Sequence, residues 1–297
     1  LVKVYDAYDV LHRKMEECSK PIFPVLPSVV TAGKEVEYFL NKGHVNFSDE
    51  VELATAVTRV CNASKPTNEG IELYGVDVPR IRRIIDEITE EGYLSHHYVQ
   101  QLLAAAGIQI VREEVSSNKK VLLRRAEEIG YPVVAKVVGP IHKSDIGGVA
   151  VNIQSKKHLA FEFERMMKLP DVSAVMIQPM LQGKELFVGA KYEPRFGHII
   201  LCGLGGIFVE VLRDIASGLA PLSHNEAFSM IRSLRAYKMF RGVRGEAPID
   251  EVQFAEIIVR LSTLLRFATE IKEMDINPLL ATSQGIIAVD ARIRVEK

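Results

Sequence analysis

The chain has 297 residues, 47% of them hydrophobic, and a formal net charge of -1 at pH 7. That length suffices for about two domains at roughly 150 residues each. The balanced charge leaves no basic field for nucleic acid and no polybasic patch for a membrane surface, and no run of roughly 18 apolar residues offers a membrane span.

The three cysteines, Cys18, Cys61 and Cys202, lack metal-ligand spacing. An odd count without a signal peptide fits a reducing, cytoplasmic compartment, and all three read as buried small hydrophobes. The chain opens at Leu1 on a pattern that reads as mid-domain, which predicts one piece of a larger enzyme.

Residues 21–31, PIFPVLPSVVT, mix β-branched residues with proline and read as extended, whereas 32–41, AGKEVEYFLN, has the apolar spacing of a short helix. Ser48 is expected to cap a helix running to about Cys61, with Glu50 and Glu52 in its first turn. Strand, helix, short strand, helix is the cadence of a parallel α/β sheet, here its tail end. The polar segment 62–70, NASKPTNEG, predicts a linker.

Beyond it, Ile81, Ile84, Ile85 and Ile88 are spaced for one helix face. Ser95 is expected to cap a helix through Ala106 that Gly107 stops, IQIVREEV reads as a strand, and Ser116 or Ser117 opens a helix ending at Gly130. Strands YPVVAKVV, GVAVNI and SAVMIQPM follow, with a helix near 156–168 between the last two. The remainder alternates strands GAKYEP, HIILCGL and IFVEVL, helices over 224–239 and 250–269, and a closing strand pair. His96 and His97 read as surface residues of an amphipathic helix, and His44 as a loop residue. Mixed α/β and α+β lobes around glycine-rich loops suit a nucleotide enzyme.

In the closing segment DINPLLATSQGIIAVDARI, a turn centred between Ser283 and Gln284 sets Asn277 opposite Asp290 and Asp275 opposite Arg292. Opposed residues share one face of a ribbon with Cβ atoms roughly 5 Å apart. An amide oxygen and a carboxylate held that close suit Mg²⁺, which keeps waters and phosphate oxygens as its other ligands. Pro278 holds Asn277 in extended form. The alternative is a surface hairpin with polar cross-strand pairs.

Glu210, in the expected strand IFVEVL, points away from Val209 and Val211 and follows Gly203, Gly205 and Gly206. It offers either a third carboxylate for the metal or a solvent-facing side chain. Arg213 and Asp214 contact phosphate or pair with each other. Lys136 stands in an apolar strand, where a lysine is costly unless it meets an anion, so it reads as a phosphate ligand. Gly147 and Gly148 let backbone amides approach phosphate oxygens, as they equally would in an ordinary turn.

The order of Lys136, HKSDIGGV with His142, VMIQPMLQGKELFVG, GLGGIFVEVLRD, LRAYKMFRGVRG and DINPLL…VDARI resembles the ATP-grasp part of ADP-forming acyl-CoA synthetases, the acetate–CoA ligase family related to succinyl-CoA synthetase. The resemblance covers nearly everything from Leu94 to Lys297, and the segment PIFPVLPSVVTAGKEV…GHVNFSDEVELATAV resembles the end of that family's flavodoxin-like CoA-ligase domain. It implies the tail of that domain over 1–62, a linker and connecting helix over 63–93, and a two-lobed ATP-grasp domain over 94–297 with its lobe boundary near 180.

The resemblance also implies an activity: acyl-CoA, ADP and phosphate interconverted with acid, CoA and ATP through acyl phosphate and phosphohistidine. Lys136 would then neutralise nucleotide phosphates, Gln178, Pro179 and Met180 would form the hinge beside adenine, and Glu185 would approach the sugar or adenine edge. Glu210, Asn277 and Asp290 would hold Mg²⁺, His142 would pick up the phosphoryl group, and Asp145 would orient the His142 ring. The sequence departs from the family after LRD, where DIASGLAPL brings Ser217 and Gly218 in place of a phosphate-side arginine. The family's principal phosphohistidine, CoA site and acid site belong to domains expected on a partner subunit or elsewhere in the same polypeptide, and the assembly is expected to be oligomeric. A non-catalytic nucleotide-sensing module and the nucleotide subunit of a succinyl-CoA synthetase are the alternative readings.

Overall fold

The computed structural model describes residues 4–25, 33–62, 75–139, 146–206, 209, 211–242 and 247–297. The chain divides into two units, Leu1–Lys65 and Pro66–Lys297.

In the first unit three helices are described: α1 (Val4–Glu17), α2 (Gly33–Asn41) and α3 (Glu50–Asn62). Helix α2 buries Val36 and Phe39. His44, in the loop after α2, stacks on Phe39 with ring centroids 4.5 Å apart, and its Nε2 lies 2.5 Å from Nδ1 of His12. Among the described residues, the expected extended stretch 21–31 contributes one parallel bridge, Val25 to Phe47, and its remainder from position 26 lies outside them. The cap of α3 falls on Asp49, one residue later than expected. Asp49 Oδ1 accepts from the Glu52 amide at 2.8 Å, while the Ser48 hydroxyl donates to the Glu52 carboxylate at 2.8 Å. A carboxylate beside the exposed amides of a first turn outcompetes a hydroxyl for the cap. Cys18 and Cys61 are exposed, which corrects their reading as core residues. The expected linker lies outside the described residues from position 63 onward.

The second unit begins with α4 (Val78–Glu87), capped by Asp77, whose side chain accepts from the Arg80 amide, and carrying Pro79 in its first turn. Its apolar stripe of Ile81, Ile84 and Ile85, continued by Ile88, is buried as the spacing predicts. After the short β1 (Gly92–Tyr93) comes α5 (His96–Ala105); Ser95 stands at its N-cap position but its side chain makes no capping hydrogen bond, and Gly107, just past the C-cap Ala106, turns the chain with a φ of +70° that favours a residue without Cβ. IQIVREEV supplies only a bridge from Ile110 to Ala288 and then β2 (Glu114–Ser116). Asn118, not either serine, caps α6 (Lys119–Ile129): its Oδ1 accepts from Lys120 N at 2.9 Å and Val121 N at 3.3 Å.

The strands β3 (Val133–Val138), β4 (Val149–Ile153) and β5 (Ala174–Pro179), with α7 (Lys156–Met166) before the last, complete a four-stranded antiparallel sheet of order β2-β5-β3-β4. Val133, Ala135, Val137 and Ile177 pack its inner face against Leu122, Ala126 and Phe163. A larger antiparallel sheet has the order β1-β11-β9-β6-β7-β8, with β10 paired to β9. Its strands are β6 (Lys184–Glu193), β7 (Gly197–Leu204), β8 (Ile215–Leu219), β9 (Ile271–Thr282), β10 (Gly285–Ala288) and β11 (Ala291–Val295). Between β8 and β9 run α8 (His224–Ser233), a 3₁₀ turn over Arg235–Met239 and α9 (Glu251–Phe267). Phe254, Leu261, Val188, Ile200 and Ile276 meet in the large core that this sheet shares with α4, α5, α8 and α9. Cys202 is buried there, and burial pushes its thiol pKa to about 12.

The expected strand IFVEVL is not formed among the described residues. β7 stops at Leu204, Val209 is helical with its amide donating to the Gly206 carbonyl at 3.1 Å, and Val211 and Leu212 are exposed in a turn. The paired glycines Gly205 and Gly206 break the extended run before the β-branched residues begin. β8, in the segment DIASGLAPL, is a strand that the sequence pattern does not announce.

Candidate functional site

Side chains alternate along β3, so Lys136 lies on the sheet face opposite Val133, Ala135 and Val137. It is 8% exposed, directly opposite Met176, and diagonal to Gln178, which opposes Val134. Its ammonium donates to the Val289 carbonyl at 3.3 Å and lies 4.0 Å from Asp290 Oδ2. A cation this buried needs such partners, because its desolvation otherwise costs several kcal/mol, roughly, in a real protein interior.

The closing hairpin has the expected register: Thr282 pairs with Gly285, Ile276 with Ala291 and Asp275 with Arg292. Across the link between β10 and β11, the Asn277 amide donates to the Asp290 carbonyl at 3.0 Å and the Val289 amide to the Pro278 carbonyl at 3.0 Å. Asn277 and Asp290 thus stand opposite each other, and Asp290 Oδ1 accepts from the Ala291 amide at 3.0 Å. Burial raises the Asp275 pKa above the ordinary carboxylate value, against the lowering pull of Arg292, with the Asp290 and Glu273 charges adding to the rise.

Asn277 and Asp290 offer oxygen donors only, which fits a hard cation such as Mg²⁺. Among the described residues no group of three or more His, Cys, Asp or Glu gathers to hold a metal. Two protein ligands completed by water and phosphate oxygens are what Mg²⁺ commonly accepts, whereas Zn²⁺ would need a fuller nitrogen or sulfur set. Glu210, His142 and Asp145 lie outside the described residues.

On β6, Glu185 pairs with Leu280 of β9, and its carbonyl accepts from the Gly205 amide at 2.7 Å. A Cβ on Gly205 would lie 3.0 Å from Glu185 Cβ, and one on Gly206 would lie 3.0 Å from Glu185 Oε2. The glycines therefore let the turn after β7 close over that carboxylate. The Met180 amide donates to the Pro132 carbonyl at 3.1 Å, which fixes the chain just after Pro179 as it leaves β5. Gly147, with φ at +68°, accepts from Arg165 at 2.8 Å, while the Gly148 carbonyl accepts from the Val137 amide at 2.8 Å.

Arg213 is exposed and adopts a left-handed φ of +49°, which is uncommon for a residue with a Cβ. Asp214 is buried and caps the 3₁₀ turn, accepting from the Arg235 and Ala236 amides at 2.9 and 2.8 Å. It is thereby committed to backbone, not to phosphate.

One residue, Glu113, escaped the sequence reading. The Glu113 side chain is 4% exposed and contacts His96 and Gln100 of α5. His96 is accordingly half-buried, not a surface residue; His97 is exposed as expected. Gln178, 2% exposed, donates through Nε2 to Glu113 Oε2 at 2.9 Å and to the Val289 carbonyl at 3.2 Å. No local pattern marks Glu113, since its partners come from α5 and β5. Beside this network opens a cavity of about 510 Å³, lined by His96, Val138, Gly139, Met176 and Arg292 among others.

Residues 87–295 match the ATP-grasp domain family. The chain is 39% identical over 227 residues to the β subunit of acetate–CoA ligase [ADP-forming] I of Pyrococcus furiosus, covering 73% of this chain and 98% of that subunit. It is 36% identical over 247 residues to 4-hydroxybutyrate–CoA ligase [ADP-forming] of Nitrosopumilus maritimus, covering 79% of this chain but only 35% of that longer protein. Among solved structures, it resembles an acetyl-coenzyme A synthetase 1 of Candidatus Korarchaeum cryptofilum in complex with coenzyme A and Mg-AMPPCP, its phosphohistidine segment pointing towards the nucleotide binding site. The TM-score is 0.63 at 32% identity, with 74% of this chain and 100% of that one covered.

Proposed function

Because this chain belongs to the ATP-grasp family, and within it to the kin of ADP-forming acetate–CoA ligase β subunits, we propose that it is the nucleotide-binding part of an ADP-forming acid–CoA ligase. The observation that carries the reading is the convergence of Lys136, Gln178 and Asn277 on one two-residue link, Val289–Asp290. A single buried cation beside opposed oxygen donors is the arrangement a polyphosphate with its divalent cation requires.

In this reading Lys136 neutralises nucleotide phosphates. Gln178, Pro179 and Met180 form the hinge beside adenine, and Glu185 approaches the sugar or adenine edge. Gly147, Gly148 and Arg213 line the phosphate side. Asn277 and Asp290, with Glu210, hold Mg²⁺, which when bound draws charge from the phosphate oxygens. The neutral His142 imidazole attacks the γ-phosphorus, the bond to the β-phosphate oxygen breaks, and ADP leaves as the ring nitrogen takes the phosphoryl group. Asp145 orients that ring. Positioning and charge neutralisation are most of what such a transfer needs.

The relatives include both separate β subunits and longer single chains, and the present chain spans about a third of the longer one. The acid, CoA and the second phosphohistidine are therefore assigned to ligase domains of a partner subunit or of the same polypeptide, in a cytoplasmic oligomer. Incubation with γ-labelled ATP and Mg²⁺ should give acid-labile, base-stable label that His142→Ala abolishes. Label that survives His142→Ala would remove the relay role, and ATP binding without any label, even with the ligase domains supplied, would favour a nucleotide sensor.

A further inference from the structure

A carboxylate as buried as Glu113 is an expensive group to place in a core, and it persists only where donors surround it. Here His96 and Gln100 reach Oε1, and Gln178 donates to Oε2. A primary amide nitrogen has two hydrogens, and both of those on Gln178 are used: one goes to Glu113, the other to the Val289 carbonyl. Both partners are acceptors, so the amide has one permitted orientation. Val289 O also accepts from Lys136, and Asp290 follows it, with its carbonyl bonded to the Asn277 amide. A continuous path thus runs from Glu113 through Gln178 to the link that bears the candidate cation ligand.

We propose that Glu113 is a positioning residue for the cation and phosphate end of the site: by locking the Gln178 amide it sets the Val289–Asp290 link, and with it Asp290 and Lys136. Without the Glu113 charge the amide loses its stronger anchor and keeps only its bond to the Val289 carbonyl, so the Gln178 side chain gains freedom to turn and the link loosens. The wiring rests on the structure alone, and its consequence for cation binding rests on the nucleotide reading above. Groups that orient a metal ligand through a hydrogen bond typically change metal affinity by about ten- to a hundredfold when lost.

The test uses the full chain with Glu113→Gln, which keeps shape but leaves His96, Gln100 and Gln178 to share one oxygen, and Gln178→Met, which removes the relay without touching the carboxylate. Hydrogen exchange of the Val289 and Asn277 amides, measured without nucleotide, reads the wiring. Mn²⁺ affinity by electron paramagnetic resonance in the presence of ATP, beside metal-free ATP affinity by calorimetry, reads the consequence. Both variants should speed exchange at those two amides and weaken Mn²⁺ binding about tenfold, with the double variant no worse than either single one; metal-free ATP binding should stay nearly unchanged in Glu113→Gln, the variant that lies outside the nucleotide hinge. Lowered thermal stability with unchanged exchange and unchanged Mn²⁺ affinity would overturn the proposal and leave Glu113 a core anchor. A wild-type chain that binds neither ATP nor Mn²⁺ would overturn the nucleotide reading and the cation role with it, while the exchange data would still decide the wiring.

Discussion

Lys136 shows how far a single residue can be read from sequence and where its environment must be seen. Its place in an apolar strand signals an anion, and the structure supplies Asp290 and the Val289 carbonyl as its protein-side partners. Hydrogen bonds to a charged group contribute about 1.5–3 kcal/mol, so Lys136→Met should weaken Mg·ATP binding roughly ten- to hundredfold by calorimetry. The methionine stem keeps most of the packing, and the melting temperature should move little. His198 makes the opposite case, a histidine without a role in the site. It is buried on β7 and donates through Nε2 to the Ile271 carbonyl at 2.6 Å. Burial lowers its pKa below the ordinary 6.5, outweighing that bond, and Lys272 lowers it further. Because the unfolded chain binds the proton more readily, the native state is at full strength above about pH 6.5 and weakens as pH falls towards the lowered pKa, by at most about 1.4 kcal/mol per pH unit. Thermal unfolding of the wild type should therefore show a steeper acid-side loss than His198→Gln, and equal slopes would contradict the assignment.

At the scale of elements, legibility followed periodicity. The stripe of isoleucines in α4, the strands β3, β4, β5 and β7 and the register of the closing hairpin are readable, because burial on one face imposes a repeat that a sequence displays, whereas β6 is expected only from Gly189 and begins at Lys184. Cap positions slipped by one or two residues at Asp49 and Asn118, where neighbouring polar residues compete for the same amides. β8 went unseen because Ala216, Ser217 and Gly218 carry no alternation, and Glu113 because its contacts are distant in sequence. The sequence shows Gly205 and Gly206 only as glycines ahead of Glu210; in the structure they give the turn clearance over Glu185. Gly206 and Gly197 both have left-handed φ, +58° and +82°, so an alanine at either costs about 1 kcal/mol of backbone strain. Only at Gly206 would the new Cβ meet Glu185; at Gly197 nothing lies within 4 Å. Gly206→Ala should thus raise the Kd for ATP several-fold while Gly197→Ala leaves it unchanged at similar stability, as paired calorimetry and melting curves would show.

For the whole molecule, both large hydrophobic cores are assembled from residues of Pro66–Lys297 alone. That segment, expressed by itself, should melt cooperatively and keep the ATP affinity of the full chain within about twofold, since independent cores define independently folding domains. Loss of cooperative melting would show that the first unit is required. That the first unit is the tail of a flavodoxin-like domain is what the family resemblance implies; its described residues contain three helices and one parallel bridge. The large sheet carries one further consequence. β8 stands at the end of its strand order, pairs only with β7 among the described residues, and is uncharged, with Ile215 43% and Leu219 52% exposed. An unpaired, uncharged, apolar edge is a template for any other extended chain. Concentrated preparations of the isolated chain should therefore self-associate, and Leu219→Lys should suppress that association in light scattering without altering ATP binding.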